Sequence, residues 1–217
     1  MPQRHRCLVI PAIPRTRRSC DRRRMGKIIA GQYVSLDGVT ESGWTGLAPA
    51  ISPTDPHTGS YFNDTEVQQA VGEMMAGNDA MLMGRLTYEG LKPFFTSQSG
   101  PYFDAVNALP KYVVSTTMES SDWSNTTVLR ENLDKEIAAL KDRHQHIGVG
   151  GSGTLVRYLI AENLLDELQL LVFPLILGGP GARLYAADQS PAAFALTDCR
   201  TLDCGVVKLV YTRQEGN

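Results

Sequence analysis

No stretch of this 217-residue sequence approaches 18 consecutive apolar residues, so nothing in it reads as a membrane-spanning helix. Cysteine is scarce as well. Cys7, Cys20, Cys199 and Cys204 form no CxxC pair and match no zinc spacing. Two lie in the N-terminal stretch and two in a late β-rich segment, as expected of reduced thiols in a cytoplasmic protein. The four histidines bring no HExxH, and His144 and His146 stand two apart without a neighbouring cysteine, so no metal site is expected. Basic residues are missing from most of the chain. Residues 1–24 hold eight arginines and one aspartate, a local balance of +7, while the rest holds 13 basic and 22 acidic side chains, a balance of −9. An acidic body gains nothing from nucleic-acid phosphates, so no nucleic-acid partner is expected.

The Arg-rich stretch lacks amphipathic periodicity, and its only apolar run, Cys7 to Ile13, is interrupted by Pro11. That is too short for a secretory signal. It reads as a disordered extension over 1–24, because Met25-Gly26-Lys27 leads straight into a strand. A transit peptide or a nucleic-acid arm has the same composition.

What is present alternates between β and α signals. Lys27 to Leu36 is a β-rich run ending at the turn pair Asp37-Gly38. Residues 41–60, rich in Gly and Pro, form a long loop of the kind that serves as a lid or binding loop. Asn63 or Asp64 caps a helix running to about Ala76, with Val67, Val71, Met74 and Met75 as its apolar stripe. Asp79 to Met83 predicts a buried strand, Arg85 to Leu91 and Asp104 to Leu109 short helices, and Tyr112 to Ser115 and Thr126 to Leu129 strands. A helix is predicted from near Asn132, a strand over His146 to Val149, a turn over Gly150 to Gly153, and a helix over Thr154 to Ala161. Glu167 to Leu177 is the longest apolar run, a central strand in which Pro174 demands a bulge or an edge. Phe194 to Leu202 and Val206 to Tyr211 close the chain as a hairpin. With no repeats or linkers, residues 25–217 read as one α/β domain with a largely parallel sheet and an antiparallel C-terminal hairpin.

Gly148, Gly150 and Gly153 satisfy G-x-G-x-x-G between a predicted strand and helix. Glycines let a backbone approach a pyrophosphate, and free N–H groups at the helix start meet its charge. The placement excludes a Rossmann domain, because only about 60 mostly β residues follow Gly153 and such a fingerprint opens its domain. Asp166-Glu167 also precedes the next strand, whereas a ribose-binding acid sits at a strand's end. A glycine turn that merely allows close strand–helix packing explains the same residues.

Met83-Gly84-Arg85-Leu86-Thr87-Tyr88-Glu89 resembles the MGR-x-T-[WY]-E signature of dihydrofolate reductases. With the Gly148 to Leu155 loop, it also resembles the reductase domain of bifunctional riboflavin-biosynthesis enzymes. Val34-Ser35-Leu36-Asp37-Gly38, Val114-Ser115-Thr116-Thr117 and Leu164-Leu165-Asp166-Glu167-Leu168 are similar to stand-alone RibD C-terminal-like reductases. The resemblance spans about residues 26–213. It implies a dihydrofolate-reductase-like three-layer fold, NADPH as cofactor and typically a homodimer. By that resemblance Gly84, Arg85 and Thr87 touch the cofactor phosphates, and Gly150, Gly151, Ser152, Gly153, Thr154 and Leu155 hold the pyrophosphate from the other side. Ser115, Thr116 and Thr117 offer hydroxyls to a 2′-phosphate. Arg85 as a solvated surface arginine, and the hydroxyl triplet as an ordinary strand end, remain open readings.

Hydride transfer to C=N or C=O leaves charge that a proton must quench. Asp37 resembles the aspartate of the family's SLDG motif, and is equally an Asp-Gly turn. Asp64 and Glu66 open a helix resembling the one that carries the acid of folate reductases, and equally serve a helix cap. Trp44 and Phe62 are candidates to stack on a planar substrate. The chain has no H-x-E with P-C-x-x-C, so the zinc deaminase half of the bifunctional enzymes is missing. The resemblance therefore implies 5-amino-6-(5-phosphoribosylamino)uracil reductase activity on a small-molecule substrate. Alternatives are reduction of dihydrofolate, another pterin or an unrelated carbonyl compound, and a nucleotide-binding module without catalysis.

Overall fold

A computed structural model describes residues 25–40, 58–178, 183–185, 189 and 191–214. The 1–24 extension, Trp44 and most of the long loop therefore lie outside the described residues. In chain order come β1 (Lys27–Ser35), a 3-10 turn (Gly59–Asn63), α1 (Thr65–Met75), β2 (Ala80–Gly84), α2 (Arg85–Thr96), α3 (Pro101–Ala108) and β3 (Lys111–Val114). Then follow β4 (Thr126–Leu129), α4 (Leu133–Leu140), β5 (His146–Gly150), α5 (Gly153–Ala161), β6 (Glu167–Phe173), β7 (Phe194–Thr201) and β8 (Val207–Arg213). One sheet holds all eight strands in the order β4-β3-β2-β5-β1-β6-β8-β7. The strands from β4 to β6 are parallel, and β8 and β7 add an antiparallel hairpin. This is the mixed, mostly parallel α/β sheet that the sequence predicts.

Local chemistry explains the elements and where they depart from expectation. Asp64 caps α1, its carboxylate accepting from the N–H groups of Glu66 at 2.8 Å and Val67 at 3.3 Å. Helix α2 runs past Leu91 to Thr96 with Pro93 inside it. Helix α3 starts at Pro101 rather than Asp104, because proline at the first turn costs no hydrogen bond. The apolar run from Glu167 forms a strand only as far as Phe173, where Pro174 removes the next donor. Strand β6 is no edge: β1 and β8 flank it on both sides, and its apolar length reflects burial on two faces.

Three layers result. On one face α4 and α5 pack Ile137, Leu140, Leu155, Val156, Leu159 and Ile160 against Ile28, Ala30, Leu82 and Val149. Fully burying each of the Val, Leu and Ile side chains contributes about 2 kcal/mol before the entropy of ordering is counted. The opposite face carries two separate clusters. One joins α1 to β6 and the C-terminal hairpin through Val67, Ala70, Met74, Leu171, Phe173 and Val206. The other gathers Met81, Met83, Tyr88, Phe95, Val113 and Trp123 beneath α2 and α3. Polar contacts brace both. Glu73 of α1 meets Lys208 at 2.6 Å and Arg200 at 3.1 Å, and the Lys208 hydrogen bond, with Gln69 and Arg200 beyond it, holds its carboxyl down at about 2.

Lys111 braces the second cluster. Its side chain is fully buried, and its ammonium donates to the carbonyls of Asn107 at 2.7 Å, Leu109 at 2.8 Å and Ser124 at 3.2 Å. It also lies 4.7 Å from the Trp123 ring centroid. Burial pulls its pKa down to about 8, which leaves it charged at neutral pH. A cation there satisfies the last carbonyls of α3, the helix that carries Tyr102. Lys111→Met strands those carbonyls and is expected to lower stability by about 2 kcal/mol. Thermal unfolding should show a fall in Tm of about 4–8 °C; an unchanged Tm would show that the carbonyls need no ammonium.

Candidate functional site

The parallel strands open at their carboxyl ends. Pairing of β1 with β5 stops at Gly31 and Gly150, whereas β1 continues beside β6 to Ser35. Pairing of β5 with β2 stops even earlier, at Gly148 and Met81, while β2 follows β3 to Gly84. The neighbours of β5 therefore diverge on either side of it, and a crevice forms beyond the strand ends, where open α/β sheets place ligands.

Two helices begin at this crevice from opposite faces. Gly84 precedes α2 and Ser152 precedes α5, and neither helix has a side-chain cap. The first-turn amides of Arg85, Leu86 and Thr87, and of Gly153, Thr154 and Leu155, are thus the donors that a helix start leaves unpaired. One side chain ties the two starts together. The Ser152 hydroxyl accepts the Gly84 N–H at 2.8 Å and lies 2.6 Å from the Thr87 hydroxyl. Ser152 itself has φ 54° and Gly151 φ 64°, a pair of left-handed residues in which serine is under strain.

The amide of Gly84, expected to face an anion, is occupied by Ser152; Arg85 and the residues after it carry the free donors. Arg85 forms an ion pair with Glu89 at 2.6 Å. Leu155 contributes only its backbone, since its side chain is in the core. Thr154 accepts from Arg157 at 3.0 Å. At the end of β3, the Ser115 hydroxyl accepts the N–H groups of Thr117 at 3.3 Å and Met118 at 3.0 Å, while Thr116 and Thr117 are exposed. Sequence reading missed two residues here. Exposed Arg130, at the end of β4, donates to the Thr116 carbonyl at 3.1 Å. Gln32 is buried, and its amide donates to the carbonyls of Gly31 and Gly151, both at 2.8 Å. The signal for Gln32 was in the strand: it falls on the buried face that Ile28, Ala30 and Val34 share.

A cavity of about 260 Å³ continues from the crevice into the gap between the two clusters. Its floor is sheet surface at Gly31, Gly148 and Gly150. A Cβ at Gly31 would come within 2.8 Å of the Met74 methyl, and one at Gly148 within 2.2 Å of the Asn78 amide, whereas one at Gly150 would project into open space. The walls are Val71, Met74 and Met75 from α1 and Leu91, Phe94 and Phe95 from α2. Phe62, one of the two aromatic candidates, lines it.

The three acidic candidates are placed elsewhere, and none lines this cavity. Asp37 accepts from the Ser35 hydroxyl at 2.6 Å and from the N–H groups of Leu177 at 3.1 Å and Gly178 at 2.9 Å. Arg183 lies 3.7 Å from the same carboxylate and also donates to the Asp37 carbonyl. The Ser35 hydroxyl, helped by the two amides, holds the Asp37 pKa at about 2. Asp64 is the cap of α1, and Glu66 accepts the Asp203 N–H at 2.7 Å. Asp166 ties β1 to α4, accepting from the Ile28 N–H at 2.7 Å and pairing with Lys141 at 2.6 Å.

The profile of the family described as the RibD C-terminal domain matches residues 26–208. The uncharacterized protein YyaP of Bacillus subtilis (strain 168) is 26% identical over 196 residues, covering 85% of this chain and 94% of its own. A protein from Shewanella sp. PV-4, provisionally assigned to riboflavin biosynthesis, superimposes with a TM-score of 0.63 at 23% identity, over 87% of this chain and 99% of that one. The dihydrofolate reductase of Enterococcus faecalis, solved with NADP(H) and RAB-propyl, superimposes with a TM-score of 0.58 at 15% identity, over 88% of this chain and 98% of that one. The two solved structures show a shared dihydrofolate-reductase-like fold.

The geometry makes Asp37 an anchor for the segment after β6. Its folded pKa lies below the ordinary carboxylate value of 3.8, so the anchoring is present above about pH 4 and is lost as pH falls toward 2. Hydrogen exchange at Leu177 and Gly178 should accelerate in Asp37→Ala at neutral pH, by about tenfold if one hydrogen bond to a charged carboxylate is lost per amide. Exchange unaltered by the substitution would mean that the loop is held by other contacts.

Proposed function

The chain belongs to the RibD C-terminal domain family, and from that premise we propose that it is an NADPH-dependent reductase acting on a C=N or C=O bond of a small heterocyclic substrate. The observation that carries this reading is the meeting of two uncapped helix starts at one crevice, tied by Ser152. A dinucleotide carries its diphosphate between two flat groups, and two sets of unpaired amides suit that diphosphate better than either set alone. The open space over Gly150 fits it as well. Bound NADPH supplies a hydride.

The chain's own residues have distinct tasks. Amides of the α2 and α5 first turns bind the diphosphate, and Gln32 fixes the Gly151 carbonyl so that the α5 turn keeps its shape. Arg130, with Thr116 and Thr117, receives the 2′-phosphate at the ends of β3 and β4. The cavity holds the substrate and excludes bulk water, which strengthens polar contacts inside it. Asp37, Asp64 and Glu66 act as positioning residues through the backbone amides they accept from. The family resemblance supplies the phosphoribosylaminouracil intermediate as one candidate substrate and a pterin as another. A homodimer, also implied by that resemblance, would cover exposed Leu36, Ile176 and Tyr185. The free thiols of Cys199 and Cys204 suit the reducing cytoplasm.

Two substitutions test the cofactor site by isothermal titration. Gly151→Val forces a β-branched residue into the left-handed region, a cost of about 1–3 kcal/mol, and should weaken NADPH binding about tenfold or more. Arg130→Ala removes a charge-assisted contact and should cut the preference for NADPH over NADH about tenfold. Absence of NADPH uptake by the unaltered protein would overturn the reductase reading, and an unchanged cofactor preference would remove Arg130 from it.

A further inference from the structure

The cavity has a chemical character that the family resemblance does not supply. Among the described residues, its lining contains no Asp, Glu, His, Lys or Arg. The internal segments 41–57, 179–182, 186–188 and 190 contain no lysine or arginine either. A phosphate or carboxylate buried without a cation costs several kcal/mol. A substrate with such a group would have to leave it outside the cavity.

The remaining features select a shape and a hydrogen-bonding pattern. Between the α1 and α2 walls Gly150 leaves open backbone, while Met74 and Asn78 cover Gly31 and Gly148, and Phe62 and Phe95 present aromatic surface to whatever the cavity holds. The polar side chains of the lining are mostly engaged: Gln32 with two carbonyls and Thr87 with Ser152. The hydroxyls of Tyr33 and Tyr102, both in the lining, have no hydrogen-bond partner among the described residues. Burial, with Tyr102 nearby, pushes the Tyr33 phenol up to about 12, so it stays a donor across the physiological range. Its ring is fixed edge-on to Phe62 and Phe173, at centroid distances of 5.4 and 6.1 Å, which limits where that donor can point.

Resting on the reductase reading of the same site, we propose that the cavity takes an uncharged planar ring bearing a C=O or C=N group, without phosphate or carboxylate, and that the Tyr33 hydroxyl donates a hydrogen bond to that group. The phosphorylated pyrimidine intermediate is thereby disfavoured as the substrate, and neutral pteridine- or pyrimidine-like carbonyl compounds are favoured.

Isothermal titration of the full-length protein with two matched pairs tests this: lumazine against lumazine-6-carboxylate, and uridine against uridine 5′-monophosphate. Each uncharged member should bind at least about tenfold more tightly than its charged counterpart, and Tyr33→Phe should weaken lumazine about fivefold, the value of one net hydrogen bond. Tyr33→Phe keeps the ring that packs on Phe62, so its NADPH affinity, measured on the same preparation, should match that of the unaltered protein. Equal or tighter binding of the charged members, no binding of either uncharged ring, or indifference to Tyr33→Phe would each overturn the proposal. If NADPH still binds in those cases, the cavity assignment alone fails; if NADPH does not bind, the reductase reading fails with it.

Discussion

The site depends on one hydroxyl. Ser152 accepts the Gly84 N–H and touches the Thr87 hydroxyl, and in doing so joins two helix starts that leave the sheet on opposite faces. Without that contact, α2 and α5 would be two separate helix ends, each with the weak attraction for an anion that any helix start has. With it, their unpaired amides share one crevice. The arrangement is held in place at some cost, because Ser152 sits in the left-handed region that a serine rarely adopts. Gln32 offsets part of this by gripping the adjacent Gly151 carbonyl from inside the sheet.

The second constraint is the division of the core on the α1 face. Had the side chains between α1 and α2 been larger, the two clusters would have merged and filled the gap. Gly150 instead leaves bare backbone there, while Met74 and Asn78 pack so closely on Gly31 and Gly148 that no side chain would fit at either without movement. The crevice at the strand ends and the cavity beneath α1 and α2 are consequently one continuous space. A dinucleotide seated on the amides and a planar ring held in the cavity would be neighbours, which is the arrangement hydride transfer requires.

Much of this was legible in the sequence. Regular alternation in Lys27–Ser35, the Asp64 cap and the glycine loop after Val149 announce β1, α1 and the α5 turn through local rules that tertiary packing did not override. The two segments expected to meet, 84–87 and 150–154, do meet. The individual roles were less legible. A carboxylate at a strand end looks the same in sequence whether it faces a substrate or accepts loop amides, and Asp37 is found accepting the amides of Leu177 and Gly178, about 140 residues away in the chain. Gly84 was expected to offer its amide to a ligand, but nothing local reveals that Ser152 takes it. Arg130 was invisible for the same reason: only the parallel pairing of β3 with β4 brings it beside Thr116.

The central claim is that both sets of amides bind one diphosphate. Titrating ¹⁵N-labelled protein with NADPH while following backbone amide shifts measures this most directly. The account predicts that Arg85, Leu86 and Thr87 move together with Gly153, Thr154 and Leu155, and that both groups saturate along one binding curve. Shifts confined to one helix start, or two groups saturating at different NADPH concentrations, would contradict it.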